Sequence, residues 1–256
     1  MRVNCLDVSR AQGHVEDIKA KYGESSNAYR VRVLGEFPTA DDETVIPLEL
    51  VLEAVGREVS SLEYYPVWGV DVARFGDDRT AVAKRQANKL LEPVKSWVST
   101  DLMATVGKIK AEYDSTPSVQ KPSEILIDII GLGAGVYDRC KELGLPVRGV
   151  NVGEAASARE NCARLRDELW FKGREWFQDK ACAMPQDEAL IAELTAPTYA
   201  ITSTGKMVVE AKADMKKRGL RSPDLADAFL LTFACGERRR VERSRTPARR
   251  HSAWAN

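Results

Sequence analysis

The sequence predicts an α/β fold in which a mixed central sheet is flanked by helices. Two short apolar runs, at 67–73 and 124–130, suit buried strands. β-rich segments follow the first run, and strands alternate with helical patterns after the second. This order is typical of a layered α/β domain. A chain of 256 residues is long enough to bury one sizeable core.

Residues 1–60 show no pattern of a self-contained core. A helical pattern at 15–21 and another at 48–59 are separated by a turn at Gly23 and by the stretch 29–38. We interpret this region as a linker or as the remnant of a preceding domain.

Residues 61–236 carry the patterns of the main domain. The predicted strands are rich in apolar and β-branched residues and cover 67–73, 80–85, 91–100, 124–130 and 147–150. The predicted helices repeat apolar residues at helical spacing and cover 102–113, 131–143, 159–171 and 222–234. In the last helix Ser222 suits the N-cap and Pro223 the first helical position.

Two further segments complete the organisation. Residues 199–210, broken at Thr204 and Gly205, predict a β-hairpin inserted into the domain. Residues 237–256 are arginine-rich and hold too few apolar side chains to pack, so we predict a disordered tail.

The composition excludes several kinds of chemistry. The two histidines, His14 and His251, lie near the chain ends, which disfavours triad and histidine–zinc sites. The five cysteines are scattered without a CxxC pair, so neither a zinc knuckle nor a disulfide framework is expected. No apolar run reaches the length of a membrane span, and the N-terminus lacks the apolar core of a signal peptide.

The net charge is zero but unevenly distributed. Residues 236–256 carry a charge of +5, which leaves −5 on the rest of the chain. An acidic body with local basic patches suits a metal site that must meet a polyanion.

Three carboxylates interrupt apolar patterns, and a fourth lies close to one of them; these are the informative residues. Asp71 lies within VWGVDVA and Asp128 within EILIDII. Asp227 lies in the apolar helical stretch LADAFLLTFA, and Asp224 is three residues earlier on the same helical face. Burying an ionised carboxylate costs several kcal/mol unless a partner compensates it.

Hard divalent cations would compensate several converging carboxylates together. Mg²⁺ and Mn²⁺ prefer oxygen ligands, and two such ions can clamp the attacking and leaving oxygens of a phosphodiester without a histidine. Simpler interpretations stay open at this stage. Asp71 could end a strand in a polar loop, and Asp224 could be a first-turn acid favoured by the helix dipole.

Several motifs together carry a family resemblance. Gly69-Val-Asp71 is followed by RFGDDRT, then by IDIIGLGAGVYD and by KADMKKRGLRSPDLADA. In this order they resemble the C-terminal nuclease domain of phage terminase large subunits. The upstream stretches YRVRVLGEFP and DETVIP resemble the connector that follows the packaging ATPase of that family, so the likeness covers most of residues 15–235.

The resemblance implies a ribonuclease H-like, three-layer fold and a two-metal (Mg²⁺ or Mn²⁺) endonuclease that cuts concatemeric viral double-stranded DNA. The acids it implies as catalytic and metal-binding are Asp71, Asp128, Asp224 and Asp227. Asp78 is an outer metal candidate, although a plain turn acid is the simpler interpretation. The portal protein and the terminase small subunit are implied as partners, with no membrane association, in the cytoplasm of the infected or lysogenic host.

A basic stretch precedes the last two acids and is expected to contact DNA phosphates. Its members are Lys212, Lys216, Lys217, Arg218 and Arg221. A solvated loop is the alternative interpretation. The chain also departs from whole terminase large subunits, because no G-x-x-x-x-G-K-[ST] motif is present. We therefore expect a nuclease part without the packaging ATPase.

Other functions remain open from the sequence. A RuvC-like resolvase would share the fold and the acids, and an actin-like ATP-binding module would share the core fold. A non-catalytic packaging scaffold is a third alternative. The glycines at 131–135 superficially suit a dinucleotide loop, but position 136 is Val, so this fingerprint is incomplete.

Overall fold

The computed structural model describes residues 12–22, 29, 33–35, 44–60, 63–73, 78–98, 101–156, 158–159 and 161–236. The predicted tail at 237–256 and the turn at Gly23 lie outside these residues. Within them, no helix is both long and apolar enough to cross a bilayer.

One mixed sheet forms the centre of the molecule. Its strands are β1 (Val67–Asp71), β2 (Thr80–Gln86), β3 (Lys89–Leu90), β4 (Lys95–Trp97), β5 (Glu124–Asp128) and β6 (Val147–Val150). The order is β3-β2-β1-β5-β6, and β4 also pairs with β2. β1 runs antiparallel to β2 and parallel to β5, and β5 runs parallel to β6.

Helices cover both faces of this sheet. They are α1 (Gln12–Tyr22), α2 (Leu48–Ala54), α3 (Leu102–Ser115), α4 (Gly133–Glu142), α5 (Leu165–Gln178), α6 (Glu188–Thr195), α7 (Lys212–Lys217) and α8 (Asp224–Leu231). A separate hairpin is formed by β7 (Tyr199–Ile201) and β8 (Met207–Val209). The predicted α/β architecture with a mixed sheet and a hairpin is confirmed.

Strand alternation divides the core into two layers. Trp68, Val70 and Ile127 pack with side chains of α3 and α4 on one face. Leu126 belongs to the other layer, which includes α2, α5, α6 and α8. Because successive strand residues point to opposite faces, the sequence pattern decides which helices each strand position meets.

Gly69 allows α8 to pack directly against β1. A Cβ atom at this position would lie 2.0 Å from the carbonyl oxygen of Ala228. No side chain larger than hydrogen fits there, and so the glycine sets the distance between the strand that carries Asp71 and the helix that carries Asp224 and Asp227.

The segment before the sheet also contributes to the core. Val45, Ile46, Val51 and Ala54 are fully buried in the layer that contains α5 and α6. The region at 44–54 therefore packs on the body of the domain.

Several predicted elements have different bounds in the structure. The helix predicted at 48–59 ends at Ala54, and the strands predicted at 67–73 and 124–130 end at Asp71 and Asp128. The strand predicted at 91–100 is replaced by the short β3 and β4 on either side of Pro93, which has no N–H to donate to a ladder. The N–H of Val94 bonds to a carboxylate oxygen of Asp187 instead of another strand. The helix predicted at 159–171 begins only at Leu165 and continues to Gln178.

The start of the last helix also differs from the prediction. α8 begins at Asp224, with Pro223 as its N-cap residue, so Ser222 is not the cap. A carboxylate oxygen of Glu193 on α6 accepts the N–H groups of Leu225 and Ala226. A side chain from another helix thus satisfies donors that a local cap usually satisfies. Neither α6 nor α7 was predicted.

Candidate active site

Asp71 and Asp128 lie side by side at the ends of two parallel strands. The register pairs Val70 with Ile127, and each acid is the next residue along its strand. Since Val70 and Ile127 face α3 and α4, Asp71 and Asp128 face α8 on the opposite side of the sheet. The carboxyl ends of parallel strands are a usual place for a site in α/β folds.

α8 brings two more acids to the same edge of the sheet. Asp224 and Asp227 lie three residues apart in its first turn and so face the same side of the helix. Asp224 is 4% exposed, and its Oδ2 atom accepts the backbone N–H of Arg79 at 2.7 Å. The charges of Asp227, Asp224 and Asp128 all act on Asp71, so the four predicted acids share one site.

The ammonium group of Lys212 lies among three of these carboxylates. Its Nζ atom is 2.8 Å from Oδ2 of Asp227, 3.5 Å from Oδ2 of Asp71 and 3.7 Å from Oδ1 of Asp224. Asp128 lines the same small cavity of 50 Å³, together with Asp71, Asp227 and Lys212. One positive group therefore occupies the point where three acids converge.

Burial works against ionisation of most of these acids. It raises the pKa of Asp71, and the charges of Asp227, Asp224 and Asp128 raise it further, while Lys212 opposes them. Burial also raises the pKa of Asp224 and of Asp128, although hydrogen bonds from the backbone N–H groups of Arg79 and Ile130, respectively, oppose that change. The site is thus short of positive charge.

Asp227 is the exception. Its burial would raise its pKa, but the ammonium of Lys212 and then the guanidinium of Arg166 outweigh burial, so the pKa lies below its usual value. In turn Asp227, Asp71 and Asp224 raise the pKa of Lys212 against the effect of its burial. Asp227 and Lys212 therefore form the charged pair at the centre of the cluster.

The outer candidate Asp78 lies apart from this centre. Its carboxylate pairs with Lys216 at 3.3 Å, although its charge still acts on Asp224. In the part of the chain that the structure describes, no three acid, histidine or cysteine side chains are arranged to hold one ion as they stand. The centre is taken by Lys212 instead.

The predicted DNA-contacting residues lie on α7 and in the turn after it. Lys217 pairs with Asp214, and Arg218 pairs with Glu210. Arg221 lines a cavity of 550 Å³ that Arg79 also lines. Lys212 differs from the others because its ammonium points into the acid cluster. Their contact with DNA stays a prediction.

Two residues of the site were missed in the sequence. Arg166, on α5, lies 3.8 Å from Oδ1 of Asp227 through its Nε atom. Glu193, on α6, caps α8 and pairs with Arg79 at 2.8 Å. Arg166 lies within the predicted helix at 159–171 as a charged residue beside buried leucines, which was the available signal. Glu193 falls in a segment for which no element was predicted.

Comparison with known proteins supports the resemblance stated from the motifs. No family model matches the chain. A probable terminase large subunit of Enterobacteria phage P7 is 27% identical over 227 residues. That match covers 82% of this chain and 45% of the relative, so the chain spans about half the length of the curated protein it matches.

Solved structures give a second comparison. The nuclease domain of the large terminase subunit gp2 of bacterial virus Sf6 superposes with a TM-score of 0.58 at 18% identity, covering 75% of this chain and 99% of that domain. The large terminase nuclease of thermophilic phage G20c gives 0.55 at 15% identity, covering 77% and 98%.

The chain has the fold of a terminase nuclease domain. The predicted ribonuclease H-like architecture is therefore confirmed, and so is the resemblance to terminase large subunits. Terminase nuclease domains of this fold have been solved with manganese or calcium (Sf6) and with magnesium or cobalt (G20c).

Proposed function

We propose that this chain is the nuclease part of a phage terminase large subunit, a divalent-metal-dependent endonuclease that cuts double-stranded DNA. The observation that carries the proposal is the convergence of Asp71, Asp224 and Asp227 on one cationic position at the end of β1. The confirmed fold and the relatives support it.

The residues present fit a divalent cation. The donor atoms around the position are carboxylate oxygens, which are the ligands that Mg²⁺ and Mn²⁺ prefer. The ammonium of Lys212 already stands there as a positive group, within 3.7 Å of three carboxylates. Its side chain is 41% exposed, and in the proposed metal-bound state it would turn towards solvent.

Asp71, Asp128, Asp224 and Asp227 are the residues that would hold the metal. When bound, a pair of such ions supplies an activated water and neutralises charge on the leaving 3′ oxygen of a phosphodiester. Asp78 pairs with Lys216 and would act only at the edge of the site.

The chain's own groups prepare the site for this role. Asp227 is kept ionised by Lys212 and Arg166 and so offers a negative oxygen at neutral pH. Asp224 is fixed in place by the N–H of Arg79. Leu169, Leu230 and other apolar side chains line the 50 Å³ cavity together with Asp227.

The proposed substrate is DNA during viral genome packaging. Lys216, Lys217, Arg218 and Arg221 would contact its phosphates on the same side as α7. The portal protein and the terminase small subunit are the proposed partners, in the host cytoplasm. Because the curated relative is about twice as long, packaging and partner binding belong to the proposal for the whole protein.

A plasmid assay tests the proposal. The chain is incubated with supercoiled plasmid in Mn²⁺ or Mg²⁺, and we expect nicked and linear products that EDTA abolishes. Asp71→Asn and Asp227→Asn should lose cleavage, whereas Asp114→Asn should keep it, because Asp114 pairs with Lys110 on α3 outside the site.

Two results would overturn the proposal. Cleavage that persists in EDTA contradicts a metal-dependent mechanism. Equal cleavage by Asp71→Asn and the unmodified chain contradicts the assigned acids. A four-way junction cut in preference to linear duplex would favour a resolvase instead.

A further inference from the structure

One edge of the Arg166 guanidinium is buried without a hydrogen-bond acceptor among the described residues. Its Nε and Nη2 atoms are inaccessible to solvent and have no hydrogen-bond acceptor among the described residues. These two donors form the edge with which arginine holds a carboxylate through two parallel hydrogen bonds. A buried donor pair without an acceptor costs free energy, so its position requires an explanation.

The nearest acid to this edge is Asp227. Nε of Arg166 lies 3.8 Å from Oδ1 of Asp227, which is an ion pair but too long for a hydrogen bond. The other carboxylate oxygen, Oδ2, lies 2.8 Å from Nζ of Lys212 at the cationic position. The two oxygens of Asp227 therefore face two different cations.

Arg166 is fixed on its other sides. Its backbone N–H bonds to the carbonyl of Val152 at 2.9 Å, and Nη1 donates to the carbonyl of Glu210 at 3.0 Å. The guanidinium carbon lies 5.9 Å from the ring of Trp170, one helical turn further along α5. Three contacts thus hold the Nε–Nη2 edge in one orientation.

The contact with Glu210 links Arg166 to Lys212 as well. Glu210 is only two residues before Lys212, at the end of the hairpin and before α7. Arg166 therefore faces the acid and also bonds to the backbone close to the acid's counter-cation.

We infer that Arg166 is a positioning residue of the proposed metal site. Its Nε–Nη2 edge holds Oδ1 of Asp227, so that only Oδ2 of this carboxylate faces the cation. This inference rests on the proposed function. When Lys212 moves away from Oδ2, a small approach of Arg166 to Asp227 from the present 3.8 Å would form the hydrogen bonds between the guanidinium edge and Oδ1. Asp227 would then be a ligand through one oxygen, as Asp224 would be, because Oδ2 of Asp224 is already engaged by a backbone N–H.

Direct contact between this edge and a DNA phosphate is the alternative role. The burial of both nitrogen atoms argues against it, since each exposes less than 1 Å². A phosphate group could reach them only if Asp227 or the surrounding side chains moved away.

Mn²⁺ binding to the full chain, measured by the EPR signal of free Mn²⁺, tests the inference without DNA. Arg166→Lys keeps the charge but lacks the planar pair of donors. We expect it to weaken Mn²⁺ binding roughly 10-fold or more, and Arg166→Met roughly 10- to 100-fold, the range seen when groups that orient metal ligands are removed. Arg148→Lys is the matched control, because Arg148 pairs with Glu124 and with the carbonyl of Ala234 rather than with a site acid.

The thermal unfolding midpoint of each metal-free variant is measured in parallel. Weak Mn²⁺ binding by Arg166→Lys, with an unfolding midpoint near that of Arg148→Lys, supports positioning. Mn²⁺ affinity of Arg166→Lys within about 2-fold of the unmodified chain overturns it. If the unmodified chain takes up no Mn²⁺, the proposed function fails and this inference fails with it. If the unmodified chain binds Mn²⁺ and Arg166→Lys binds it equally well, only this inference fails.

Discussion

Lys212 and Asp227 form the central charged pair of the acid cluster, with Nζ of the lysine 2.8 Å from Oδ2 of the aspartate. The same ammonium also lies within 3.7 Å of Asp71 and Asp224. A single lysine thus compensates three acids that would otherwise repel each other. The stability of the metal-free protein should depend on it.

Replacing Lys212 with Met should destabilise the metal-free protein. Removing one partner of a fully buried ion pair costs about 3–5 kcal/mol, but Lys212 is 41% exposed, so we expect about 1–2 kcal/mol. Urea unfolding in EDTA measures the loss, and saturating Mn²⁺ should reduce it. Lys217→Met is the control, because Lys217 is highly exposed and pairs with the exposed Asp214, away from the acid cluster. Equal losses in both variants would contradict a special role for Lys212.

The metal-free protein should become less stable as the pH rises from about 5 to 8. Burial raises the pKa of Asp71, and it raises the pKa of Glu193 to about 8. A carboxyl group whose pKa is higher in the folded state binds its proton more tightly there, so its stabilising effect is present below about pH 4 and is lost as the pH rises through the folded value. The lowered pKa values of Asp227 and Glu112 act in the opposite direction, but only at more acidic pH.

Urea unfolding at half-unit steps between pH 5 and 8 in EDTA measures this slope, which cannot exceed about 1.4 kcal/mol per pH unit for each proton released. Asp71→Asn and Glu193→Gln should each flatten it, because the amide does not titrate. Asp114→Asn should leave it unchanged. Stability that rises with pH across this range would show that these two acids do not dominate the pH dependence.

The sequence predicted the fold and the four acids for a physical reason. A charged residue inside an apolar strand or helix, such as Asp128 in EILIDII, is costly unless the fold gathers it with others, so the pattern alone marks the position. Alternation within each strand places Asp71 opposite to Val70 and Asp128 opposite to Ile127, and the pairing of the two strands in the structure brings both acids to one face.

The contacts that Glu193, Arg166 and Lys212 make in the site could not be predicted from local sequence patterns. Glu193 caps α8 across 32 positions of sequence, and Arg166 reaches Asp227 from a different helix. Such contacts depend on how helices pack, which no periodicity within one segment reveals. In the sequence Lys212 belongs to the basic stretch predicted to contact DNA, and only the tertiary structure shows that its ammonium lies among the acids.

Replacing Asp128 with Asn should abolish cleavage and stabilise the metal-free protein. Burial raises the pKa of Asp128, and the charge of Asp227 acts in the same direction, so a neutral side chain is favoured when no metal is bound. The amide oxygen of Asn can still accept the N–H of Ile130, as Oδ1 of Asp128 does at 3.1 Å. We expect an increase on the order of 1 kcal/mol at pH 8, measured by urea unfolding in EDTA. A decrease in stability, with Asp138→Asn as the exposed control, would contradict the effect of repulsion and burial.

Replacing Gly69 with Ala should separate α8 from the sheet and weaken the site. The added Cβ would lie 2.0 Å from the carbonyl oxygen of Ala228, a backbone atom that can move only with the helix. Overpacking of this kind costs about 1–3 kcal/mol or more, and any shift of α8 carries Asp227 away from Asp71. We therefore expect lower stability in EDTA together with weaker Mn²⁺ binding. Gly107→Ala is the matched control, since nothing lies within 4 Å of its added Cβ on α3, and a helical alanine should stabilise by about 0.5–1 kcal/mol. If Gly69→Ala lowered stability but bound Mn²⁺ as tightly as the unmodified chain, the spacing between β1 and α8 would not control the site.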